Sequence, residues 1–274
     1  MSGRDPAKCD SPVVGAARDC YAGRMAQDFL DLPDGRRIAF RARAGAGPTV
    51  VFLGGFRSDM TGTKASFLDD WAAAAGRGFL RFDYTGHGAS SGRFEDGAIG
   101  DWVRDAEETI LRLAPGPLVL VGSSMGGWIA LRLAARLGDR LAGLVGIAAA
   151  PDFTEDSMWA AMDEGTRARL MREGRVEVPS EYEEPYPITR RLIEDGRENL
   201  VLRTPLGLAM PVRLLHGTAD ADVEPAVALR LLAHAEGPDI RLTLVKGADH
   251  RFSAPETLAL LAATLDEVVA RAGA

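Results

Sequence analysis

The stretch Leu118-Val119-Leu120-Val121-Gly122-Ser123-Ser124-Met125-Gly126-Gly127-Trp128 constrains the fold more than any other in this chain. Four apolar residues of buried-strand type run into a Gly/Ser turn, and an alanine- and leucine-rich helical pattern starts at once. Strand, sharp turn and helix around G-x-S-x-G place a serine at the top of a sheet, with small flanking residues letting strand and helix approach closely. Ser124 rather than Ser123 is the candidate nucleophile. Gly122 and Gly126 stand two residues to either side of Ser124, whereas Ser123 would be flanked by Val121 and Met125, whose side chains crowd such a turn. The competing reading is a turn that merely opens a helix with a serine N-cap.

The surrounding chain supplies the sheet. Gln27–Leu32 and Arg37–Ala44 read as strands joined by a Pro33-Asp34-Gly35 turn, and Thr49–Leu53 as a buried strand ending at Gly54-Gly55-Phe56. Alternation follows: a helix over Lys64–Ala75, a strand over Gly78–Phe82, an amphipathic helix over Ile99–Leu113, the strand before Ser124 and a helix over Met125–Leu137. Leu141–Ala149 is a further buried strand. Between Pro151 and Met210 the rhythm breaks; amphipathic stretches flank a Pro/Tyr/Glu-rich segment and no strand is evident. It resumes with strands at Val212–Leu215 and Ile240–Val245 and helices at Pro225–Ala235 and Pro255–Ala270. Repeated βα units with continuously apolar strands predict an α/β fold, a mostly parallel sheet with helices on both faces. The expected organisation is a flexible leader over 1–24, a core formed by 25–150 and 211–274, and a helical lid inserted at 151–210.

Charge and cysteine usage narrow the function. A net charge of −7 argues against a polyanion-binding surface and so against nucleic acid as a partner, and no apolar run is long enough to span a membrane. Cys9 and Cys20 both fall in the leader and are expected as free thiols of a reducing cytosol. That leader has no apolar core for a secretory signal, and Asp5, Asp10 and Asp19 are foreign to an acid-poor transit peptide, so a cytoplasmic location is expected.

A serine hydroxyl needs an imidazole to take its proton and an acid to orient the imidazole. Of the four histidines, His87 lies in a Gly-rich turn, His234 closes a helix and His216 ends a strand in Leu214-Leu215-His216-Gly217. His250, in Gly247-Ala248-Asp249-His250-Arg251-Phe252, sits in a polar loop at the carboxyl edge of the sheet, where such folds place ligands. His250 is therefore the candidate base. Asp220 follows the penultimate strand and is the candidate acid, with Asp222 and Asp152 as rivals. Asp249 reads as a residue that caps its own loop. The developing oxyanion needs two donors, for which the backbone N–H groups of Phe56 and Met125 are the candidates.

The order Ser124, Asp220, His250 reproduces that of the α/β-hydrolases, and the chain resembles that superfamily along nearly all of Gln27 to Ala270. The run Gly54-Gly55-Phe56-Arg57-Ser58-Asp59-Met60-Thr61-Gly62-Thr63-Lys64-Ala65, the Gly-Ser-Ser-Met-Gly-Gly-Trp turn and Arg213-Leu214-Leu215-His216-Gly217 are similar to a narrower branch. That branch contains the mitochondrial palmitoyl-protein thioesterases that also act as acyl-glucuronide esterases. The resemblance implies Ser124 as nucleophile, Asp220 as acid and His250 as base, cleaving a small-molecule acyl ester or thioester, or an S-acylated protein, with no metal or organic cofactor. Hydrolysis of carbon–carbon bonds with the same triad is the alternative within enzymes, and a non-catalytic ligand receptor the alternative outside them. Lid residues Met158, Trp159, Met162, Leu170 and Tyr182 or Tyr186 are candidates for an apolar acyl pocket.

Overall fold

The computed structural model describes residues 26–178 and 186–272. Its first strands, β1 (Asp28–Asp31) and β2 (Arg37–Arg43), form a hairpin around Gly35, which takes the left-handed conformation (φ 88°) that glycine adopts without penalty. Then come β3 (Ala46–Leu53), α1 (Thr63–Ala74), β4 (Arg77–Phe82), α2 (Ile99–Leu113), β5 (Leu118–Ser123), α3 (Met125–Leu137) and β6 (Leu141–Ile147). An inserted segment carries α4 (Glu164–Glu173), β7 (Arg175–Val178), β8 (Tyr186–Thr189) and α5 (Arg190–Glu198). The chain closes with β9 (Leu206–Gly207), β10 (Val212–Gly217), α6 (Pro225–His234), β11 (Ala235–Glu236), β12 (Ile240–Val245) and α7 (Pro255–Ala272).

Eight strands form one sheet in the order β1-β2-β4-β3-β5-β6-β10-β12. β1 and β2 are antiparallel to their neighbours, and every pairing from β4 to β12 is parallel. Period-two alternation explains why both faces are covered. Val51, Leu53, Leu118 and Leu120 point into the core shared with Trp102 of α2 and Trp128 of α3. Val50, Phe52, Val119 and Val121 point into the opposite core, shared with Leu68 of α1 and with Leu261 and Leu265 of α7. Each of these buried Val, Leu and Phe side chains contributes about 1.5–3 kcal/mol of burial. β5 lies inside the sheet, paired with β3 on one edge and β6 on the other, so the turn that follows it starts from a strand held on both sides.

The inserted segment departs from the sequence expectation in one respect. It is mainly helical, but β7 and β8 pair antiparallel, Val176 opposite Ile188, where no strand was expected. Val176 and Ile188 are buried against the Trp128 side of the core together with Leu170 of α4 and Ile193 of α5. Burial of alternate residues thus overrides a local sequence rich in charge. Part of the Pro179–Pro187 stretch, Tyr182 included, lies outside the described residues, as do Cys9, Cys20 and the 1–24 leader.

Candidate active site

The turn between β5 and α3 is strained where the sequence places Ser124. Its backbone has φ 54° and ψ −118°, a conformation that costs a non-glycine residue about 1–3 kcal/mol. Hydrogen bonds from Ser124 N to Ile147 O (2.9 Å) and from Ala150 N to Ser124 O (3.1 Å) tie the turn to the end of β6. The glycine spacing is sterically enforced. A Cβ on Gly126 would lie 2.1 Å from the Leu53 carbonyl oxygen, and one on Gly122 would lie 2.3 Å from the Gly126 carbonyl oxygen. Strand and helix approach too closely there for any side chain.

Two loops at the same sheet edge bring His250 and Asp220 to this serine. His250 Nε2 lies 3.2 Å from Ser124 Oγ, and His250 Nδ1 lies 2.9 Å from Asp220 Oδ2. Asp220 is buried, and its Oδ1 accepts the backbone N–H groups of Asp222 (3.0 Å) and Val223 (2.8 Å). Burial pushes the Asp220 carboxyl up, but the hydrogen bonds from His250 and the Val223 amide outweigh it and hold the carboxyl below its usual range. An ionised carboxylate only accepts, so Nδ1 carries the imidazole proton and Nε2 is left to accept from the serine hydroxyl. His216, also buried, sits with Nε2 2.8 Å from Val223 O and 3.4 Å from Asp220 Oδ2, bracing the turn that carries Asp220.

The rival acids have other duties. Asp152 is buried, with Oδ1 accepting Val201 N (2.8 Å) and Oδ2 accepting Leu202 N (3.0 Å) and the Arg203 guanidinium (2.7 Å), so it pins the end of the inserted segment. Asp222 is exposed. Asp249 accepts Phe252 N at 3.0 Å and caps its own loop, as its position in sequence suggests. Candidate ligand atoms of Asp220, Asp222 and His250 lie within 4.8 Å of one another. The Asp220 oxygens and His250 Nδ1 are already spent on each other and on two amides, so the group is knit as a hydrogen-bond network.

The loop after β3 packs directly on the serine. A Cβ on Gly55 would stand 3.4 Å from Ser124 Cβ, and Ser58 N donates to Gly55 O at 3.2 Å to close a tight turn. Phe56 follows Gly55, and its ring meets those of Phe94, Phe153 and Tyr186 edge-on at centroid distances of 4.9, 5.5 and 6.0 Å. Its amide therefore belongs to a residue fixed on several sides. Met125 opens α3, where first-turn N–H groups have no intrahelical acceptor.

His87 plays a part its turn-rich sequence did not reveal. Arg57 takes a left-handed conformation (φ 58°), and its N–H donates to His87 Nε2 at 3.3 Å. That bond fixes the tautomer, since Nδ1 must then carry the proton it shares with Thr85 O at 3.2 Å. Burial pushes the His87 imidazole below its ordinary 6.5, more than the Thr85 contact raises it. The folded protein thus binds this proton less well than the unfolded chain. Stability from His87 is complete above pH 6.5 and is lost as pH falls below it. His87→Phe is expected to cost about 1–3 kcal/mol at neutral pH, because the Arg57 amide loses its acceptor. In urea titrations the gap between wild type and variant narrows on acidification; a gap that is constant with pH would refute the assignment.

Above Ser124 lies a cavity of about 460 Å³, bounded by His250, Phe56, Phe153, Met158 and Tyr186 among others. Of the inserted-segment residues singled out in sequence, Met158 and Tyr186 reach it. Leu170 is wholly buried in the core, Met162 packs against that core, and Trp159 takes the Arg197 and Arg167 guanidinium groups at 4.6 and 5.3 Å from its ring centre. Phe153, which sequence reasoning passed over, bridges Phe56 and Trp128. No local pattern marks it, because all its partners are distant in sequence.

Comparison with known proteins adds an independent line. Residues 50–270 match a family model described as "Alpha/beta hydrolase family". The palmitoyl-protein thioesterase ABHD10, mitochondrial, of Bos taurus is 32% identical over 243 residues, covering 88% of this chain and 79% of its own. Among solved structures, alpha/beta hydrolase domain-containing protein 10 from mouse superposes with a TM-score of 0.84 at 30% identity, covering 90% of this chain and 99% of that one. A protein of Agrobacterium vitis S4 superposes with a TM-score of 0.85 at 43% identity, covering 90% of this chain and all of that one (100%). The expected cytoplasmic location does not survive, since relatives aligned over 88% of the chain are named mitochondrial. Asp5, Asp10 and Asp19, on which that expectation rested, lie outside the described residues. Among the described residues no helix is long and apolar enough to cross a membrane.

Proposed function

Because this chain belongs to the alpha/beta hydrolase family and is a hydrolase acting on ester bonds, we propose that Ser124, His250 and Asp220 carry out the hydrolysis of carboxylic esters or thioesters through an acyl-enzyme. The observation that carries this reading is a single imidazole, His250, standing 3.2 Å from a serine hydroxyl and 2.9 Å from a carboxylate. Ser124 Oγ attacks the acyl carbonyl while His250 Nε2 takes the hydroxyl proton. The imidazolium is stabilised by Asp220, and the N–H groups of Phe56 and Met125 receive the oxyanion.

Collapse of the tetrahedral species breaks the bond to the alcohol or thiol, which leaves with the proton from His250. Water then attacks the Ser124 ester with His250 again as base, and the carboxylic acid departs as Ser124 regains its proton. The apolar rings of Phe56, Phe153 and Tyr186 and the Met158 side chain offer the acyl chain its surroundings, and the 151–210 segment acts as the lid over it. Thioesterase relatives support thioesters, including S-acylated protein, within this substrate class.

The test is turnover of p-nitrophenyl esters and acyl thioesters of graded chain length, with and without a fluorophosphonate. Fluorophosphonate-sensitive hydrolysis of at least one series is expected. A stoichiometric adduct with no turnover of any ester or thioester would instead favour a ligand receptor, and turnover unaffected by complete modification would place the chemistry elsewhere.

A further inference from the structure

Lys64 occupies a position that costs stability in two ways. It lies in the first turn of α1, where the helix dipole disfavours a cation and no acidic residue compensates. It is also half-buried, and burial pushes its ammonium down to about 8 despite the nearby Asp249 carboxylate, with Arg251 adding to the depression. The contact that offsets these costs is across the active site. Lys64 Nζ donates to the backbone carbonyl of Arg251, the residue after His250.

That carbonyl belongs to a turn under strain. Phe252 is fully buried in a left-handed conformation (φ 50°), which its bulk disfavours. Phe252 N donates to Asp249 Oδ1 at 3.0 Å, and Ser253 Oγ donates to the Arg251 carbonyl at 2.9 Å. These bonds are local to the turn and set its shape. The turn is tied to the exit of β10 by the Ala219 N–H, which donates to Ala248 O at 3.0 Å, and Lys64 reaches it from the opposite side through the Arg251 carbonyl, linking it to α1 and the loop after β3.

The base of the lysine is itself anchored. Met60, four residues earlier, donates its N–H to Asp83 Oδ1 at 2.6 Å and accepts the Arg81 guanidinium at 2.9 Å on its carbonyl. This fixes the Ser58–Thr63 run to β4 and its exit, between the oxyanion loop and α1. Lys64 lines the cavity that holds Ser124 and His250, and also the recess formed by Gly54, Gly55 and Ser58.

We propose that Lys64 is a positioning residue for His250: by clamping the Arg251 carbonyl it holds the histidine turn where Nε2 reaches Ser124 Oγ. The proposal rests on the reading of Ser124 and His250 as nucleophile and base. It also gives a role to the last part of the Ser-Asp-Met-Thr-Gly-Thr-Lys run, which that reading leaves unused. A charged donor makes the stronger bond to a carbonyl, so the clamp is firm while Lys64 is protonated and slackens as pH rises through about 8. Asp249 and Arg251 from the histidine turn, Arg57 and Asp59 from the oxyanion loop and Asp222 from the acid turn are the other charges around these two recesses.

The experiment compares wild type, Lys64→Met and Lys64→Arg for ester hydrolysis, for the rate of fluorophosphonate labelling and for Tm, from neutral to alkaline pH. Met keeps the apolar stem and removes the donor; Arg keeps a charged donor that does not titrate in this range. The variants retain the other five charges, which isolates the lysine. Lys64→Met is expected to lower kcat and the labelling rate by about 10- to 100-fold with KM and Tm little changed, since small displacements of a catalytic group cost that much. Lys64→Arg is expected to recover most of the rate and to lack the decline expected of wild type as pH rises through about 8. Wild-type rates in Lys64→Met, equal impairment in both variants, or a loss of Tm without a loss of kcat would each overturn the clamp. If wild type labels at Ser124 and Lys64→Met is indistinguishable from it, only the clamp fails; if wild type does not label, the nucleophile reading fails and takes the clamp with it.

Discussion

Ser124→Ala lowers kcat for any ester or thioester the protein hydrolyses by about 10⁶-fold, the loss seen when the nucleophile of such a unit is removed, while the chain stays folded. Nothing in the turn depends on the hydroxyl for its shape. Its backbone is held by Ile147 O, by the Ala150 N–H and by the glycine contacts with Leu53, all of which an alanine retains. The same residue separates activity from stability in a second substitution. Ser124→Gly removes the strain of φ 54° and should raise Tm by a few degrees while abolishing turnover, because glycine takes left-handed backbone at no steric cost. Urea or thermal unfolding of the two variants beside wild type checks both halves. A Ser124→Ala protein with residual activity near wild type would show that the elbow serine is not the nucleophile.

Asp220→Asn lowers kcat by about 10⁴-fold, again without unfolding, and the cause is a reversed proton. Asp220 Oδ1 accepts the Asp222 and Val223 amides, so the carboxamide oxygen of an asparagine takes that position and its NH₂ faces His250 Nδ1. Nδ1 must then accept, the imidazole proton moves to Nε2, and the atom 3.2 Å from Ser124 Oγ can no longer take the hydroxyl proton. Substrate affinity is little affected, so the loss appears in kcat rather than KM. Activity close to wild type would move the acid to Asp222; Asp152 is already committed to Val201, Leu202 and Arg203.

Most of the core was legible in the sequence because its signals are local. The strand from Leu118, the glycine spacing around Ser124 and the continuous apolar runs at Thr49–Leu53 and Leu141–Ala149 each declare a buried parallel strand or a tight crossing within a few residues. His250 and Asp220 stand out in the sequence as candidates by place as much as by type, since both follow strands at the carboxyl edge, and the structure brings both to Ser124. What escaped depends on contacts between distant residues. The β7–β8 pair is four residues a strand, its Arg-Val-Glu-Val sequence carries no clear apolar run, and its partner lies beyond a Pro-rich segment. His87 lies in a Gly-rich turn, but its Nε2 holds the Arg57 amide 30 positions away. Lys64 and the Arg251 carbonyl are separated by 187 positions, and no helical or strand period connects them.

The cavity wall, too, depends on contacts between distant residues. Sequence singles out Phe56 for its backbone amide, yet its ring organises the wall of the cavity by meeting Phe94, Phe153 and Tyr186, one before and two within the inserted segment. The inserted segment and the loop after β3 are therefore packed through one side chain, and changes at Phe153 or Tyr186 are expected to reach the proposed oxyanion donor as well as the proposed acyl surroundings.

The most direct test of the account is to treat the wild-type protein with a fluorophosphonate and locate the adduct by mass spectrometry. Among the described residues the cavity offers Ser58, Ser123, Ser124 and Ser157 as targets, and of these only Ser124 has an imidazole nitrogen within 3.2 Å. The account predicts a single adduct on Ser124, formed in step with loss of ester hydrolysis and absent from Ser124→Ala. An adduct on Ser123, Ser58 or Ser157 in its place, or complete indifference to the probe, would contradict it.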